Sequence, residues 1–288
     1  MAVWIILLII LAVAGAVVLR IRYELNHPEV TRYTIKTSKL LSSEQIRIIY
    51  IADLHSRKYG ENNIRLIQMI TRTKPDFIVL GGDMITAGDR SEKDQNAYDL
   101  INGLANVAPI YYTPGNHEKK LEINNKQKDR YVQWIHELES LDVPYLKDKG
   151  AVLTEDICLY GLDIDLKYYK KFDEKPKLRP SNISDKLGKP DTTKFNILAA
   201  HTPEFFDTYV KSDYDLVLCG HYHGGVAVLG QFGPLISPDF KFRPEHAGGL
   251  YKKGDTRVIV TRGIGSHTIN IRLFNRPEIV LLDIKREE

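Results

Sequence analysis

Five short apolar runs in this chain each end in side chains able to bind a metal. Residues 46–51 (IRIIYI) lead to Asp53 and His55, and residues 77–80 (FIVL) lead through two glycines to Asp83. Residues 110–112 precede Gly115-Asn116-His117-Glu118, and residues 195–198 precede His201. Residues 216–218 precede Gly220-His221-Tyr222-His223-Gly224-Gly225. Short runs of β-branched and aromatic residues read as strands buried on both faces. Between them the spacing predicts helices over 63–73 (Ile64, Ile67, Ile70), 91–106 (Ala97, Leu100, Ile101, Leu104) and 129–141 (Val132, Ile135, Leu138). Strand–helix alternation predicts an α/β fold with a substantially parallel sheet. In such sheets the site lies beyond the carboxyl ends of the strands, where all of these donors fall.

Asp53 and His55 are two residues apart, as are His221 and His223, so on extended exits each pair leans to one side. Five of the nine histidines (His55, His117, His201, His221, His223) fall at strand ends. Carboxylate and imidazole donors suit zinc, manganese, iron or magnesium. They are too many for one tetrahedral ion. Two ions about 3.5–4 Å apart, sharing a carboxylate, would use them all. Such a pair makes hydroxide available near neutral pH and clamps phosphate oxygens as charge moves onto the leaving group. Gly81, Gly82, Gly115 and Gly220 allow close backbone approach or positive φ. Asp-x-His or Gly-Gly-Asp alone is an ordinary turn; the order of all the elements is what is specific, with Gly-His-x-His-Gly-Gly the strongest.

The chain has 288 residues, 43% hydrophobic and 27% charged, which suits a well-packed core. A net charge of +3, from 40 basic and 37 acidic side chains, gives no nucleic-acid footprint. Cys158 and Cys219 are far apart, so neither a disulfide framework nor a thiolate zinc site is indicated.

Residues 2–19 (AVWIILLIILAVAGAVVL) carry no charge. As a helix they would span about 27 Å, close to the hydrocarbon thickness of a bilayer. No face is polar, which argues against a core helix. A cleaved signal peptide is the rival; the length of the run and the lack of a preceding Lys or Arg argue against it. The expected organisation is a transmembrane anchor over 1–22, a linker over 23–43 and a catalytic domain over 44–288. Arg20, Arg22, Arg32, Lys36 and Lys39 all follow the run. The positive-inside rule therefore places the catalytic domain of this single-pass membrane protein in the cytoplasm.

The series Asp53-x-His55, Gly81-Gly82-Asp83, Gly115-Asn116-His117-Glu118, His201, Gly220-His221-x-His223 resembles the calcineurin-like metallophosphoesterase superfamily, from about Ile46 to the C-terminus. The resemblance implies a two-sheet β-sandwich flanked by helices, here preceded by a transmembrane helix. It implies two divalent metal ions, with Asp53 and His223 as ligands of the first and His55 beside them. Asp83 would bridge, and Asn116, His201 and His221 would hold the second. His117 is similar to the family's non-ligand histidine, which stabilises the phosphate or protonates the leaving oxygen. A neutral Asn ligand leaves the adjacent imidazole free for such acid work.

Residues 272–279 (RLFNRPEI), after Thr261-Arg262-Gly263-Ile264-Gly265, are similar to membrane-associated bacterial phosphoesterases of the YkuE/YaeI type. That resemblance implies phosphodiester or UDP-acyl-glucosamine pyrophosphate hydrolysis. Val226 stands where glutamine is frequent, a change that bears on substrate contacts and not on ligands. The expected activity is in-line attack by a metal-bridging hydroxide on a phosphodiester or pyrophosphate, in a lipid-linked or nucleotide-sugar substrate. The alternatives are a phosphomonoesterase acting on a soluble substrate and a catalytically idle metal-binding interaction module.

Elsewhere His136 reads as a helix-surface residue and His27 as linker. His246 and His267 are loop candidates for the cleft. Residues 163–190 are either a solvated insertion or a lid gripping an anionic head group. Residues 230–251, with Phe232, Phe240, Phe242 and Tyr251, read as hairpin packing or as a lipophilic wall.

Overall fold

The computed structural model describes residues 1–88, 91–170, 176–225, 227–228, 234, 242–266 and 270–287. In chain order the elements are α1 (Ala2–Asn26), β1 (Glu29–Thr37), β2 (Gln45–Ile51), α2 (Ile64–Thr71), β3 (Phe77–Leu80), α3 (Asp94–Ala105), β4 (Ile110–Tyr112), α4 (Asn116–Ile123) and α5 (Lys128–Ser140). There follow β5 (Lys149–Val152), β6 (Ile157–Leu162), α6 (Pro180–Leu187), β7 (Phe195–Ala200), α7 (Phe206–Val210), β8 (Leu216–Cys219), β9 (Gly249–Lys253), β10 (Thr256–Val260) and β11 (Glu278–Arg286).

The strands form two sheets, ordered β1-β11-β2-β3-β4 and β5-β6-β7-β8-β10-β9. Of the nine pairings between these strands, six are parallel and three antiparallel. The chain therefore builds a mixed two-sheet sandwich. The parallel expectation holds for β2-β3-β4 and for β6-β7-β8-β10, and fails where β11 runs antiparallel to β2 inside the first sheet and where β5 and β9 close the second.

Period-two alternation explains the runs. In β2, Ile48 and Tyr50 point into the core between the sheets, beside Leu159, Ile197 and Leu216. Ile49 and Ile51 point outward into a second core covered by α2, α3 and α5. Both faces of the strand are buried, so the sequence reads as continuous apolar residues. Each such side chain contributes about 1.5–3 kcal/mol relative to exposure. The outer face of the second sheet is covered by α6 and α7 through Ile183, Phe206 and Tyr209.

The helices lie where the spacing predicts, with two differences in face. α2 buries Leu66 and Ile70 and leaves Ile64 46% exposed. α5 buries Trp134 and Leu138, leaving Val132 exposed. In α5 the larger Trp134, two positions from Val132, takes the place against the core.

α1 is exposed along its apolar length, and only Glu24 and Leu25 are buried. Among the described residues it is the one helix long and apolar enough to cross a membrane. The segment expected as a linker over 23–43 holds the end of α1 and then β1. That strand pairs in parallel with β11 from Glu29↔Glu278 to Thr37↔Arg286. Burial alternates residue by residue along β1, with one face turned inward and the other exposed.

Candidate metal centre

The site lies at the carboxyl ends of β2, β3, β4, β7 and β8. The exits are not extended. Asp53, His55, Asp83, His221 and His223 have φ of 58°, 50°, 52°, 68° and 51°. This left-handed conformation is uncommon for residues with a Cβ and concentrates at functional sites. Each such residue turns the chain sharply, so Asp53 and His55 converge through a tight turn and not through a shared strand face.

Three groups of donor atoms come within binding distance of one another: Asp53, His55 and His223; His55, Asp83 and His117; Asp83, His201 and His221. Asp83 belongs to two of them. Its Oδ2 lies 3.1 Å from His201 Nε2 and 3.9 Å from His55 Nε2. Asp53 Oδ1 lies 3.6 Å from His201 Nε2 and 3.7 Å from His223 Nε2. His55 Nε2 and His223 Nε2 face each other at 3.2 Å. Asn116 begins α4 at the same edge, and the next residue, His117, donates its N–H to Asp83 Oδ1 at 2.7 Å.

The donor set fits cations. Asn116 Oδ1 is buried without a hydrogen-bond partner. Such an atom costs about 1–3 kcal/mol when left unsatisfied. Burial pushes the Asp53 carboxyl up to about 7, with Asp83 adding to the rise and His201 opposing it. Burial would raise Asp83 too, but His201, His117 and His55 pull it well below the usual carboxylate range. His201 is depressed by burial and lifted by Asp83 and Asp53, ending at about 10. His223 is held well below the usual imidazole range by burial, with Arg272 and His221 adding to it. Two buried carboxylates thus demand positive charge, which bound divalent ions supply more strongly than a protonated imidazole.

Backbone contacts fix which ring nitrogens face the cluster. His201 Nδ1 donates to the Gly81 carbonyl at 2.8 Å, leaving Nε2 as the lone-pair nitrogen of the neutral ring. His117 Nδ1 accepts from the Ala87 N–H at 2.9 Å, so its Nε2 carries the proton. His55 Nδ1 lies 3.3 Å from Thr86 Oγ1.

Close packing leaves no room for side chains on the glycines. A Cβ at Gly82 would lie 2.3 Å from Gly115 N, and one at Gly220 would lie 2.5 Å from Asp53 Oδ2. Both Asp53 oxygens accept from the His221 N–H at 3.0 Å.

Four residues that hold this geometry carry no assigned role in the sequence reading. Glu118 is fully buried and accepts from the N–H groups of Asp83, Met84 and Gly115 and from the Tyr112 hydroxyl. One carboxylate thereby fixes the Asp83 turn and the start of α4. Its signal was legible: a Glu three residues after an N-cap glycine is a capping position. Tyr169 sits edge-on to His221, with ring centroids 5.1 Å apart. Arg272 is 2% exposed and donates to the carbonyls of Arg262, Gly263 and Gly265. That loop packs on Asp53, since a Cβ at Gly263 would lie 2.8 Å from Asp53 Cβ. Asn275 donates to the carbonyls of His223 and Gly225.

His246 stacks on Phe206 with ring centroids 4.0 Å apart, in contact with the outer core of the second sheet. His136 is exposed on α5, and exposed His27 stacks on Tyr23. His267, Val226, Phe232 and Phe240 lie outside the described residues. Of the segment 163–190, residues 171–175 are also outside them; the remainder walls a cavity of about 190 Å³ beside Tyr168 and α6.

A family model described as calcineurin-like phosphoesterase matches residues 46–225. The uncharacterized metallophosphoesterase Cj0846 of Campylobacter jejuni is 28% identical over 269 residues, covering 91% of this chain and 64% of that protein. Phosphodiesterase YaeI of Escherichia coli is 25% identical over 240 residues, covering 83% of this chain and 82% of its own. A transmembrane protein with metallophosphoesterase domain from Danio rerio is 28% identical over 279 residues, covering 90% of this chain and 58% of that protein. The chain thus spans less than two thirds of the Campylobacter and Danio relatives. The matched segment runs from β2 through the turn after His223 and includes every residue of the three donor groups, so the chain belongs to the calcineurin-like phosphoesterase family.

Proposed function

We propose that this chain is a membrane-anchored, two-metal phosphoesterase that hydrolyses a phosphodiester or pyrophosphate bond. The observation that carries the reading is the place of Asp83, shared between a group with His55 and a group with His201 and His221. Asp53, His55 and His223 would hold one divalent ion, and Asn116, His201 and His221 the other, with Asp83 common to both. When bound, the ions neutralise phosphate charge and make a water nucleophilic near neutral pH. Manganese, zinc, iron and magnesium all suit these donors.

His117 also falls within a donor group, but it is better used as a hydrogen-bond donor to the reacting group. With Nδ1 occupied by the Ala87 N–H, its Nε2–H can donate to a phosphate or leaving oxygen and stabilise the charge that develops there. Asp83 accepts the His117 backbone N–H and so orients that ring.

α1 would span the bilayer once, with Arg20 and Arg22 on the cytoplasmic side beside the catalytic domain. Because β1 is part of the first sheet, the domain would extend back to Glu29. Tethering raises the local concentration of substrates in the same membrane, which favours a lipid-linked or nucleotide-sugar phosphoester. Full-length protein in detergent, assayed on an aryl phosphodiester and the matching monoester with and without manganese, tests the reading. Manganese-dependent turnover of the diester above the monoester is expected. Faster monoester turnover would make it a monoesterase, and no turnover with metal bound would make it an interaction module.

A further inference from the structure

α1 is exposed for most of its length, yet its last turn is built into the domain. Glu24 is 0% exposed. Its Oε2 accepts from the backbone N–H of Asn275 at 2.6 Å, and its Oε1 from Arg20 Nε at 2.5 Å. A carboxylate is buried in this way only when hydrogen bonds offset its desolvation. Asn275, also 0% exposed, spends both amide hydrogens on the turn after His223, reaching the His223 carbonyl at 2.8 Å and the Gly225 carbonyl at 2.5 Å. That turn has no slack: Gly224 has φ 67°, and a Cβ there would lie 2.6 Å from Asn275 Oδ1. A second tie reaches the other loop of the same donor group. Arg57, two residues beyond His55, donates to the Leu25 carbonyl at 2.6 Å. The described partners of Asn116 and His201 include nothing from α1.

We infer that Glu24 is a positioning residue for His223, acting through Asn275, so that the last turn of the membrane helix forms part of the scaffold of one metal site and not the other. The inference rests on the two-metal reading and adds to it a physical link between anchor and site. Forces on the helix in the bilayer reach His223 through two hydrogen-bonded steps.

The test uses metal-stripped full-length protein in detergent, titrated with manganese and followed by calorimetry and electron paramagnetic resonance. Groups that support metal ligands typically change affinity about 10–100-fold. Glu24→Ala is expected to weaken one of the two manganese sites about tenfold, at the low end of that range because it acts through an intermediary. The other site should be unchanged. Glu24→Gln keeps an acceptor for the Asn275 N–H and should behave as wild type. Asn275→Ser removes the amide donors without touching Glu24 and should give the same one-site signature, even if Glu24→Ala fails to fold. Combining Glu24→Ala with Asn275→Ser should weaken the site no further than Asn275→Ser alone. Unchanged manganese affinities in Glu24→Ala, with only a lower melting temperature, would overturn the inference; so would additivity of the pair, or a Glu24→Gln as weak as Glu24→Ala. Wild-type protein that binds no manganese or other divalent metal would instead overturn the two-metal reading, and this inference with it.

Discussion

Asp53, His55 and His223 lean on segments near both chain ends, whereas Asn116 and His201 are held by loops close to them in the sheet. Asp53 is packed by Gly263, whose loop is pinned by Arg272, and the His223 turn is gripped by Asn275. On the other side, the Gly81 carbonyl orients His201, and Glu118 fixes both the Asp83 turn and the N-terminus of α4. All of these latter groups lie within residues 46–225, the segment shared with the family, while Arg272, Asn275 and Glu24 lie outside it. The difference teaches that one half of the centre is self-contained and the other borrows its precision from the C-terminal segment and α1. The matched segment supplies the donors of both halves; the first also leans on flanking residues, among them Arg272 and Asn275.

The largest test of this division is the residue common to both halves. Asp83→Asn should lower diester turnover by about a thousandfold or more, since several kcal/mol of charge stabilisation is at stake. Both metal sites should weaken together in calorimetry. Weakening of only one would show that Asp83 is not shared.

His117→Ala should leave both metal affinities intact while cutting turnover about 10²–10⁴-fold. The deficit should shrink on an aryl diester with an acidic leaving group, whose oxygen needs less stabilisation as it departs. An equal deficit on all leaving groups would reassign His117 to binding, and loss of metal would make it a ligand.

Glu118→Gln replaces an acceptor-only carboxylate that receives four hydrogen bonds. It should weaken the Asp83 and Asn116 side about 10–100-fold in metal affinity. The site of His223 should change less, because Asn275 and Arg272 still hold it. Equal weakening of both would erase the proposed asymmetry.

The smallest effect calibrates the others. Asp156 accepts from Leu41 N, Ser42 N and Ser42 Oγ, remote from both halves. Those bonds from Ser42 lower its pKa below the usual carboxylate value. Its stabilising contribution is therefore complete above the unfolded carboxylate pKa and is lost as pH falls through the lower folded value. Asp156→Ala should lower the melting temperature by a few degrees near neutral pH and by less in strong acid. Turnover and manganese affinity should not move.

The donors were legible because each is local to a strand exit. Asp53, Asp83, Asn116 and His201 follow apolar runs whose β-branched residues announce the strands. Glu118 could have been read from its place after Gly115. The contribution of Glu24 could not, because its partner Asn275 lies 251 residues away and nothing in either neighbourhood signals the other. His246 was left open by the sequence for a related reason: a histidine in a loop has no periodicity to assign it, and only the packing against Phe206 shows its neighbour.

Residue order alone determined the strands, the amphipathic helices, the uniformly apolar α1 and the hard nitrogen and oxygen donors, because these follow from periodicity and side-chain chemistry within a few neighbours. Tertiary structure decided that the strands form two facing sheets, since a strand buried on both faces has the same apolar run in either arrangement. It also decided that β11 enters between β1 and β2 and that the exits turn left-handed. The choice of ring nitrogen facing the cluster is tertiary as well: it depends on which backbone carbonyl or N–H meets the other nitrogen, and those partners come from separate strands.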